Sequence, residues 1–122
     1  MRSETLWEAF GHAFRGLGHA FRTQRNLKIQ AAIALAVLAA GLWLRLDLLE
    51  WGILILAMGL VFVAEIMNTA IEAMVDLASP QVHPLAGIAK DASAAAVVVA
   101  VLASVVLGLM VLGPPLLDRL RR

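Results

Sequence analysis

The feature that most constrains this chain is a group of acidic side chains within a strongly apolar segment. An uninterrupted apolar run over 51–64 leads directly into the sequence Glu65-Ile-Met-Asn-Thr-Ala-Ile-Glu-Ala-Met-Val-Asp76. At 3.6 residues per turn, the polar members of that sequence fall within roughly 100° of one another on a helix. We call this set the acidic stripe, and it comprises Glu65, Asn68, Thr69, Glu72 and Asp76. The sequence therefore predicts a membrane helix with one polar face.

The acidic stripe is costly in a membrane. Ionisable side chains at bilayer depth cost about 2.5–3.5 kcal/mol each on insertion scales, and they usually belong to functional sites. A solvated helix end beyond the membrane boundary is the simpler alternative, and it suits Asp76 at the end of the stripe. For the stripe as a whole the functional interpretation is favoured, because Glu65 lies about 21 Å along the helix from Trp51, which is still membrane depth.

The composition limits the class of protein. Of the 122 residues, 61% are hydrophobic, whereas soluble domains contain about 45–50% apolar residues. We therefore expect one integral membrane domain over residues 1–122. A formal net charge of +1 gives no basic field for nucleic acid, and the absence of cysteine excludes disulfides and cysteine-based catalysis. Because Glu4, Glu8 and His12 interrupt the early apolar residues, no cleavable signal peptide is expected.

Apolar patterning predicts an all-α membrane protein with one amphipathic surface helix and three transmembrane helices. The first segment has aromatic residues on one face and charged residues on the other, which is typical of a helix in the membrane interface. The three later segments are long and apolar enough to span a bilayer. The predicted boundaries are 4–22 for the surface helix and 27–46, 51–78 and 85–113 for the spans. Ser79-Pro80 is expected to end the third helix, and Pro114-Pro115 to end the fourth.

Three spans place three polar parts of the chain on one side of the membrane: the turn at 23–28, the acidic stripe and Lys90-Asp91. The basic residues on that side are Arg2, Arg15, Arg22, Arg25, Lys28 and Lys90, against Arg45, Arg119, Arg121 and Arg122 on the other. Basic residues favour the cytoplasmic side. The six basic residues on the side of the amino terminus, against four on the other side, therefore favour a cytoplasmic amino terminus.

Carboxylates beside a lysine at headgroup depth suit phosphoryl transfer to a lipid hydroxyl. One carboxylate can take the hydroxyl proton, another can bind Mg²⁺ together with nucleotide phosphates, and the lysine can neutralise phosphate charge. A small proton-coupled transporter is the alternative, because an acid buried in a helical bundle can also carry a proton. The motifs of soluble kinases are absent: no Gly-x-x-x-x-Gly-Lys-Ser/Thr occurs, and Gly16-Leu17-Gly18 lacks the third glycine of a glycine-rich loop. The residues alone leave both classes open.

Two motifs resemble those of a known family. They are Glu65-Ile-Met-Asn-Thr-Ala-Ile-Glu-Ala-Met-Val-Asp76 and His83-Pro-Leu-Ala-Gly-Ile-Ala-Lys-Asp-Ala-Ser-Ala-Ala-Ala-Val97. With nearly the whole chain around them, they resemble the prokaryotic diacylglycerol kinases, which include the undecaprenol kinases of Gram-positive bacteria. The resemblance implies an ATP-dependent lipid kinase of the bacterial inner membrane. It also implies a homotrimeric helical bundle with active sites between protomers, facing the cytoplasm.

The resemblance also implies roles for residues at matching positions. Glu65 matches the general base for the lipid hydroxyl, and Asn68 the amide beside it. Glu72 matches the carboxylate that binds the divalent metal on ATP. Lys90 and Asp91 match the pair that contacts the nucleotide.

Two further parts of the chain match the surroundings of the nucleotide in that family. Gln81, Val82 and His83 occupy the loop that flanks it. His12 lies where the surface helix borders the nucleotide. For His12, a histidine on the polar face that simply faces water is an equal alternative.

One position departs from the family pattern. Family members commonly place a glutamate in the polar turn before the first span, where it shares the metal with the acid that matches Glu72; here that residue is Gln24. No acidic residue lies between Glu8 and Asp47 to replace it. An amide oxygen can still bind Mg²⁺, but without a negative charge. The resemblance therefore implies Mg²⁺ bound by Glu72 and Gln24, with ATP as co-substrate.

The resemblance also bears on the lipid substrate. Segments 21–29 and 83–86 look more like the undecaprenol kinases than the Gram-negative diacylglycerol kinases. Both candidate lipids present one hydroxyl above apolar chains, so the residues themselves give no physical basis for choosing between them. The expected partners are ATP, membrane lipid, and either undecaprenol or diacylglycerol as acceptor.

Overall fold

A computed structural model describes residues 5–122, and over that range it contains helices and no strand. The helices are α1 (Leu6–Thr23), α2 (Arg25–Leu44), α3 (Leu48–Ala78) and α4 (Pro84–Leu120). The all-α prediction is confirmed, with a surface helix followed by three long apolar helices. Arg2 and the predicted start of the surface helix at residue 4 lie outside the described residues.

Helix α1 begins with a capping box. The Thr5 hydroxyl accepts a hydrogen bond from the backbone of Glu8, and the Glu8 carboxylate accepts one from the backbone of Thr5. The aromatic side of the helix is open, with Trp7 85% exposed. Near its other end Phe21 packs on Phe62 of α3, with ring centroids 6.4 Å apart. Such a helix, docked at one end and apolar on an open face, suits the membrane interface.

A tight connection joins α2 to α3. Arg45 has φ 55°, a left-handed conformation that ends α2, and its N–H bonds back to Leu42. Asp47 then caps α3 in a second capping box with Glu50. Because of this cap α3 begins at Leu48, three residues before the predicted start. The Asp-x-x-Glu spacing was the sequence signal for that earlier start.

Three helices are long and apolar enough to cross a membrane, as predicted. They contain 20, 31 and 37 residues for α2, α3 and α4. At 1.5 Å per residue, α2 is about 30 Å long and matches the hydrocarbon core, whereas α3 and α4 exceed it by more than ten ångströms. Helices α3 and α4 are therefore long enough to extend beyond the core of the bilayer.

The prediction that Pro114-Pro115 ends the last helix is wrong, because α4 continues through both prolines to Leu120. A proline within a helix loses one hydrogen bond and crowds the preceding residue. Here the preceding residue is Gly113, which has no Cβ to crowd. Beyond the prolines, Arg119 donates a 2.8 Å hydrogen bond to the carbonyl of Trp43 and its guanidinium lies 4.9 Å from the Trp43 ring centroid. These contacts hold the last turns of α4 against the end of α2.

The core of the bundle lies between α3 and α4, which make the most extensive contact in the described chain. Leu54, Ala57 and Ala100 are buried there, and the Ser104 hydroxyl donates to the carbonyl of Ala57 at 2.8 Å. Small residues and hydroxyl bonds of this kind permit close approach of membrane helices. Helix α2 packs more loosely on this pair.

Gly41 of α2 allows a test of the connection to α3. A Cβ added there would lie 2.6 Å from Cη2 of Trp51, so the indole or the helix would have to move. We expect Gly41→Ala to lower the Tm of the detergent-solubilised protein by several degrees, since overpacking costs about 1–3 kcal/mol. Gly59→Ala is the matched control, because a Cβ there meets no described atom within 4 Å. Equal Tm values for the two variants would contradict the close packing of α2 on Trp51.

Candidate active site

The candidate active site lies at the end of the bundle formed by the second half of α3, the first turns of α4 and the first turns of α2. Hydrogen bonds join the acidic stripe to Gln30 of α2 and to Lys90 and Ser93 of α4. These contacts place the stripe, the start of α2 and Lys90 at one end of the bundle.

Glu65 is the most deeply buried member of the acidic stripe. It is 3% exposed, and its Oε1 accepts a 2.8 Å hydrogen bond from Nε2 of Gln30. The Thr69 hydroxyl donates a 2.9 Å hydrogen bond to the backbone carbonyl of Glu65, so it does not bond to the Glu65 carboxylate. A buried carboxylate is unfavourable unless donors compensate the loss of water. The Gln30 amide is the donor that this structure provides.

Asn68 connects α4 to Glu72. Ser93, which is 7% exposed, donates a 2.6 Å hydrogen bond from its hydroxyl to Oδ1 of Asn68. The Asn68 amide is thereby oriented so that its Nδ2 donates to Oε1 of Glu72, one helical turn away, at 3.4 Å. Because that bond is long, the half-buried Glu72 carboxylate is only weakly engaged by the protein.

Lys90 approaches the stripe at its far end. Its Nζ donates to Oδ1 of Asp76 at 2.6 Å, with the two side chains 41% and 67% exposed. Ion pairs this open to solvent contribute roughly 0–1 kcal/mol. The pair positions the ammonium group beside the acidic stripe without holding it strongly.

The other predicted residues are on α4 itself and in the loop before it. Asp91 is exposed on α4. His83 is the amino-terminal cap of that helix, and its Nδ1 accepts a 3.1 Å bond from the backbone N–H of Leu85. Gln81 and Val82 are exposed in the loop. These four side chains are exposed to solvent at the end of the bundle where α4 begins.

Two predicted residues come from the amino-terminal part of the chain. His12 is exposed on α1 and interacts with Arg15. Gln24 is half-buried where α1 ends and α2 begins, and its side chain makes no capping hydrogen bond to α2. A shared role for Gln24 and Glu72 at a metal stays a prediction.

Sequence reasoning did not assign Gln30 and Ser93 to the site. Gln30 is the sole polar side chain between Ile29 and Leu44, and such isolation in an apolar span indicates a partner on another helix. Ser93 gave a weaker signal, because serine hydroxyls in membrane helices can also bond to their own backbone. Spacing along one helix cannot reveal either partner, since both contacts are between helices.

The oxygen ligands at this site suit Mg²⁺ that is bound jointly by the protein and by nucleotide phosphates. They suit a metal bound by protein side chains alone less well. Within residues 5–122, no three His, Cys, Asp or Glu side chains gather into a metal-binding group. Mg²⁺ usually binds through one or two carboxylates plus substrate phosphates. Glu72 fits that role, because it is an oxygen ligand whose only hydrogen bond from the described residues is long.

Comparisons with known proteins show the family of this chain. Residues 11–112 match the family model described as prokaryotic diacylglycerol kinase. The undecaprenol kinase of Bacillus subtilis is 44% identical over 111 residues, which covers 91% of this chain and 90% of that protein. No transporter function receives support from these matches.

Two diacylglycerol kinases are also similar. The protein of Synechocystis is 43% identical over 93% of this chain, which spans 65% of the length of that relative. The protein of Escherichia coli K12 is 33% identical over 81% of each chain. This chain is therefore a bacterial membrane protein of the prokaryotic diacylglycerol kinase family, a family of lipid kinases.

Proposed function

We propose that this chain transfers the γ-phosphoryl group of ATP to the hydroxyl of undecaprenol and produces undecaprenyl phosphate at the cytoplasmic face of the inner membrane. Diacylglycerol, which would give phosphatidic acid, is the second candidate acceptor. The observation that best supports phosphoryl transfer is the burial of the Glu65 carboxylate at the end of the apolar bundle where α2 and α4 begin. The identity to the undecaprenol kinase of Bacillus subtilis supports the choice of lipid.

Glu65 acts as the general base. The O–H bond of the lipid breaks as its proton passes to the Glu65 carboxylate. The hydroxyl oxygen then forms a bond to the γ-phosphorus while the bond from phosphorus to the ADP oxygen breaks. Because Glu65 is buried, water is largely excluded from the base, which limits hydrolysis of ATP as a side reaction.

The nucleotide lies on the exposed side of the acidic stripe, against Lys90 and Asp91. Phosphate oxygens compete with Asp76 for the Lys90 ammonium, and the weak solvent-exposed pair allows that exchange. The Asn68 amide nitrogen has two hydrogens, and because one is donated to Glu72, the other is available for a phosphate oxygen. Gln81, Val82, His83 and His12 border the same space.

Glu72 and Gln24 would hold Mg²⁺ in this arrangement. Bound Mg²⁺ supplies neutralisation of the charge on the transferring phosphate. The Gln24 amide contributes a neutral oxygen, so Glu72 carries the negative charge of the protein ligands.

The direct test is a phosphorylation assay with purified protein, ATP and either undecaprenol or diacylglycerol in mixed micelles. We expect phosphate transfer to both alcohols, with the higher kcat/KM for undecaprenol. A preference for diacylglycerol would overturn the choice of lipid. Absence of transfer to any long-chain alcohol, together with pH-driven solute flux in vesicles, would overturn the kinase proposal in favour of a transporter.

The two acids should lose different functions when neutralised. We expect Glu65→Gln to lower kcat by about 10²–10⁴-fold with the KM for ATP unchanged, because a base acts on the reacting proton. Glu72→Gln should instead raise the Mg²⁺ concentration needed for half-maximal activity. Asp118→Asn, which removes an exposed carboxylate at the opposite end of α4, is the matched control. Equal losses of nucleotide affinity in the first two variants would contradict these roles.

We also propose a homotrimer. Several large apolar side chains of the spans are exposed on the single chain, including Leu109 at 68%, and Ala-rich surfaces such as 92–96 permit close contact between helices. Native mass spectrometry of an active, detergent-solubilised sample should show three copies. A monomer that retains full activity would contradict this assembly.

A further inference from the structure

The strongest unassigned feature is a group of arginines at the end of the bundle opposite the candidate active site, where α2 and α4 end and α3 begins. We call them the distal arginines, and all are exposed: Arg45, Arg119, Arg121 and Arg122. In the proposed orientation they face away from the cytoplasm, where basic residues are ordinarily scarce in membrane proteins. Four of them at this end therefore indicate an anionic partner.

Three of the distal arginines have no acidic partner in the described chain. Asp118 pairs with Arg122 at 3.3 Å. The other two carboxylates at this end form the capping box of α3, where each accepts a hydrogen bond from a backbone N–H. Among residues 5–122, no carboxylate therefore neutralises Arg45, Arg119 or Arg121.

Arg119 is held in place by neutral groups. Its Nη2 donates a 2.8 Å hydrogen bond to the carbonyl of Trp43, and its guanidinium carbon lies 4.9 Å from the centroid of the Trp43 ring. A guanidinium has five N–H donors, so most of them remain for an anion. Arg45 follows Trp43 by two residues at the end of α2, which places their Cα atoms within about 7 Å of each other. Arg45 and Arg119 therefore both extend from the neighbourhood of Trp43.

The surroundings of Trp43 suit the interface between lipid tails and headgroups. Trp43 is 51% exposed at the end of a membrane span, and tryptophan is enriched at that depth. Leu117 and Leu120, which flank Arg119 in the last turns of α4, are exposed as well. Apolar side chains in such a position contact acyl chains, while the guanidiniums extend to the headgroups.

We propose that Arg45, Arg119 and Arg121 bind the phosphate of an anionic phospholipid in the leaflet opposite the candidate active site. The guanidinium groups of Arg45 and Arg119 donate to phosphate oxygens, because the planar fork of arginine matches phosphate geometry. Arg121 adds positive charge at the end of α4. The lipid joins the ends of α2 and α4 beside the contact of Arg119 with Trp43, and it is bound as a structural partner, separate from the proposed reaction.

A phospholipid fits this surface better than a second copy of the chain. A copy would have to supply a free carboxylate, and each described carboxylate at this end is already bonded, either to Arg122 or within the capping box of α3. An anionic phospholipid presents a negative phosphate at the membrane surface and places its acyl chains beside the spans. This distribution matches unpaired arginines next to exposed leucines.

Lipid-dependent thermal stability tests the proposal. The Tm of detergent-solubilised protein without ATP is measured against phosphatidylglycerol, phosphatidylcholine or inorganic phosphate. We expect phosphatidylglycerol to raise the Tm of the wild type by several degrees, and the other two to raise it less. In Arg45→Gln, the concentration of phosphatidylglycerol for half-maximal stabilisation should rise about fivefold, which corresponds to about 1 kcal/mol for one basic residue near an anionic surface. Arg122→Gln is the matched control, because it removes the same charge from an arginine that Asp118 already neutralises; its change should stay below twofold.

Other outcomes would overturn the lipid site. Equal shifts in the two variants would mean a general attraction to positive charge, and equal stabilisation by phosphatidylcholine or by inorganic phosphate would exclude an anionic lipid as the specific ligand. Loss of the oligomer in lipid-free Arg45→Gln, but not in Arg122→Gln, would assign these arginines to a contact between copies.

Photolabelling of the wild type provides a test that depends on no variant. Phosphatidylglycerol with a diazirine on its headgroup should label residues 43–48 and 116–122, and unmodified phosphatidylglycerol should compete. Labelling confined to α1 or to the loop between α3 and α4 would contradict the proposal, whether or not the protein is an active kinase.

Discussion

The burial of Glu65 is the constraint on which the rest of the structure depends. A carboxylate that is 3% exposed in an apolar span is tolerable only if neighbouring helices exclude lipid from it and supply a donor. Helix α2 supplies the donor through Gln30. The more loosely packed helix of the bundle is therefore the one that stabilises the base, which links the arrangement of the spans to the chemistry.

The polar contacts change in character along the acidic stripe. The buried Glu65 carboxylate accepts a hydrogen bond from the neutral amide of Gln30. Asn68 accepts one from the buried Ser93 hydroxyl. Asp76 forms a solvent-exposed ion pair with Lys90. Burial makes hydrogen bonds stronger and their loss more costly. The deep end of the stripe is consequently fixed, while the shallow end can exchange partners. This gradient suits a site where a buried base meets a lipid and exposed groups meet a soluble nucleotide.

Properties set within one helix were predictable from the sequence, and contacts between helices were not. The polar stripe from Glu65 to Asp76 follows from helical periodicity alone, as do three spans. The partnership of Gln30 with Glu65 depends on the rotation of α2 against α3, which no local pattern specifies. The continuation of α4 past Pro114 was also not predictable from the sequence, because it depends on a contact between helices. Arg119 stabilises the end of α4 through its contact with Trp43 of α2.

The contact of Arg119 with Trp43 has a consequence for how the protein fits its membrane. Helix α2 is tied to its neighbours at Gln30 and at Trp43, two points about 20 Å apart along its axis. One inserted residue between them would rotate one point by about 100° relative to the other and break one of the two ties. Helix α2 thus acts as a fixed spacer. In a thicker bilayer, sliding or tilting of α2 would break one of these hydrogen bonds, which favours local thinning of the lipid around it.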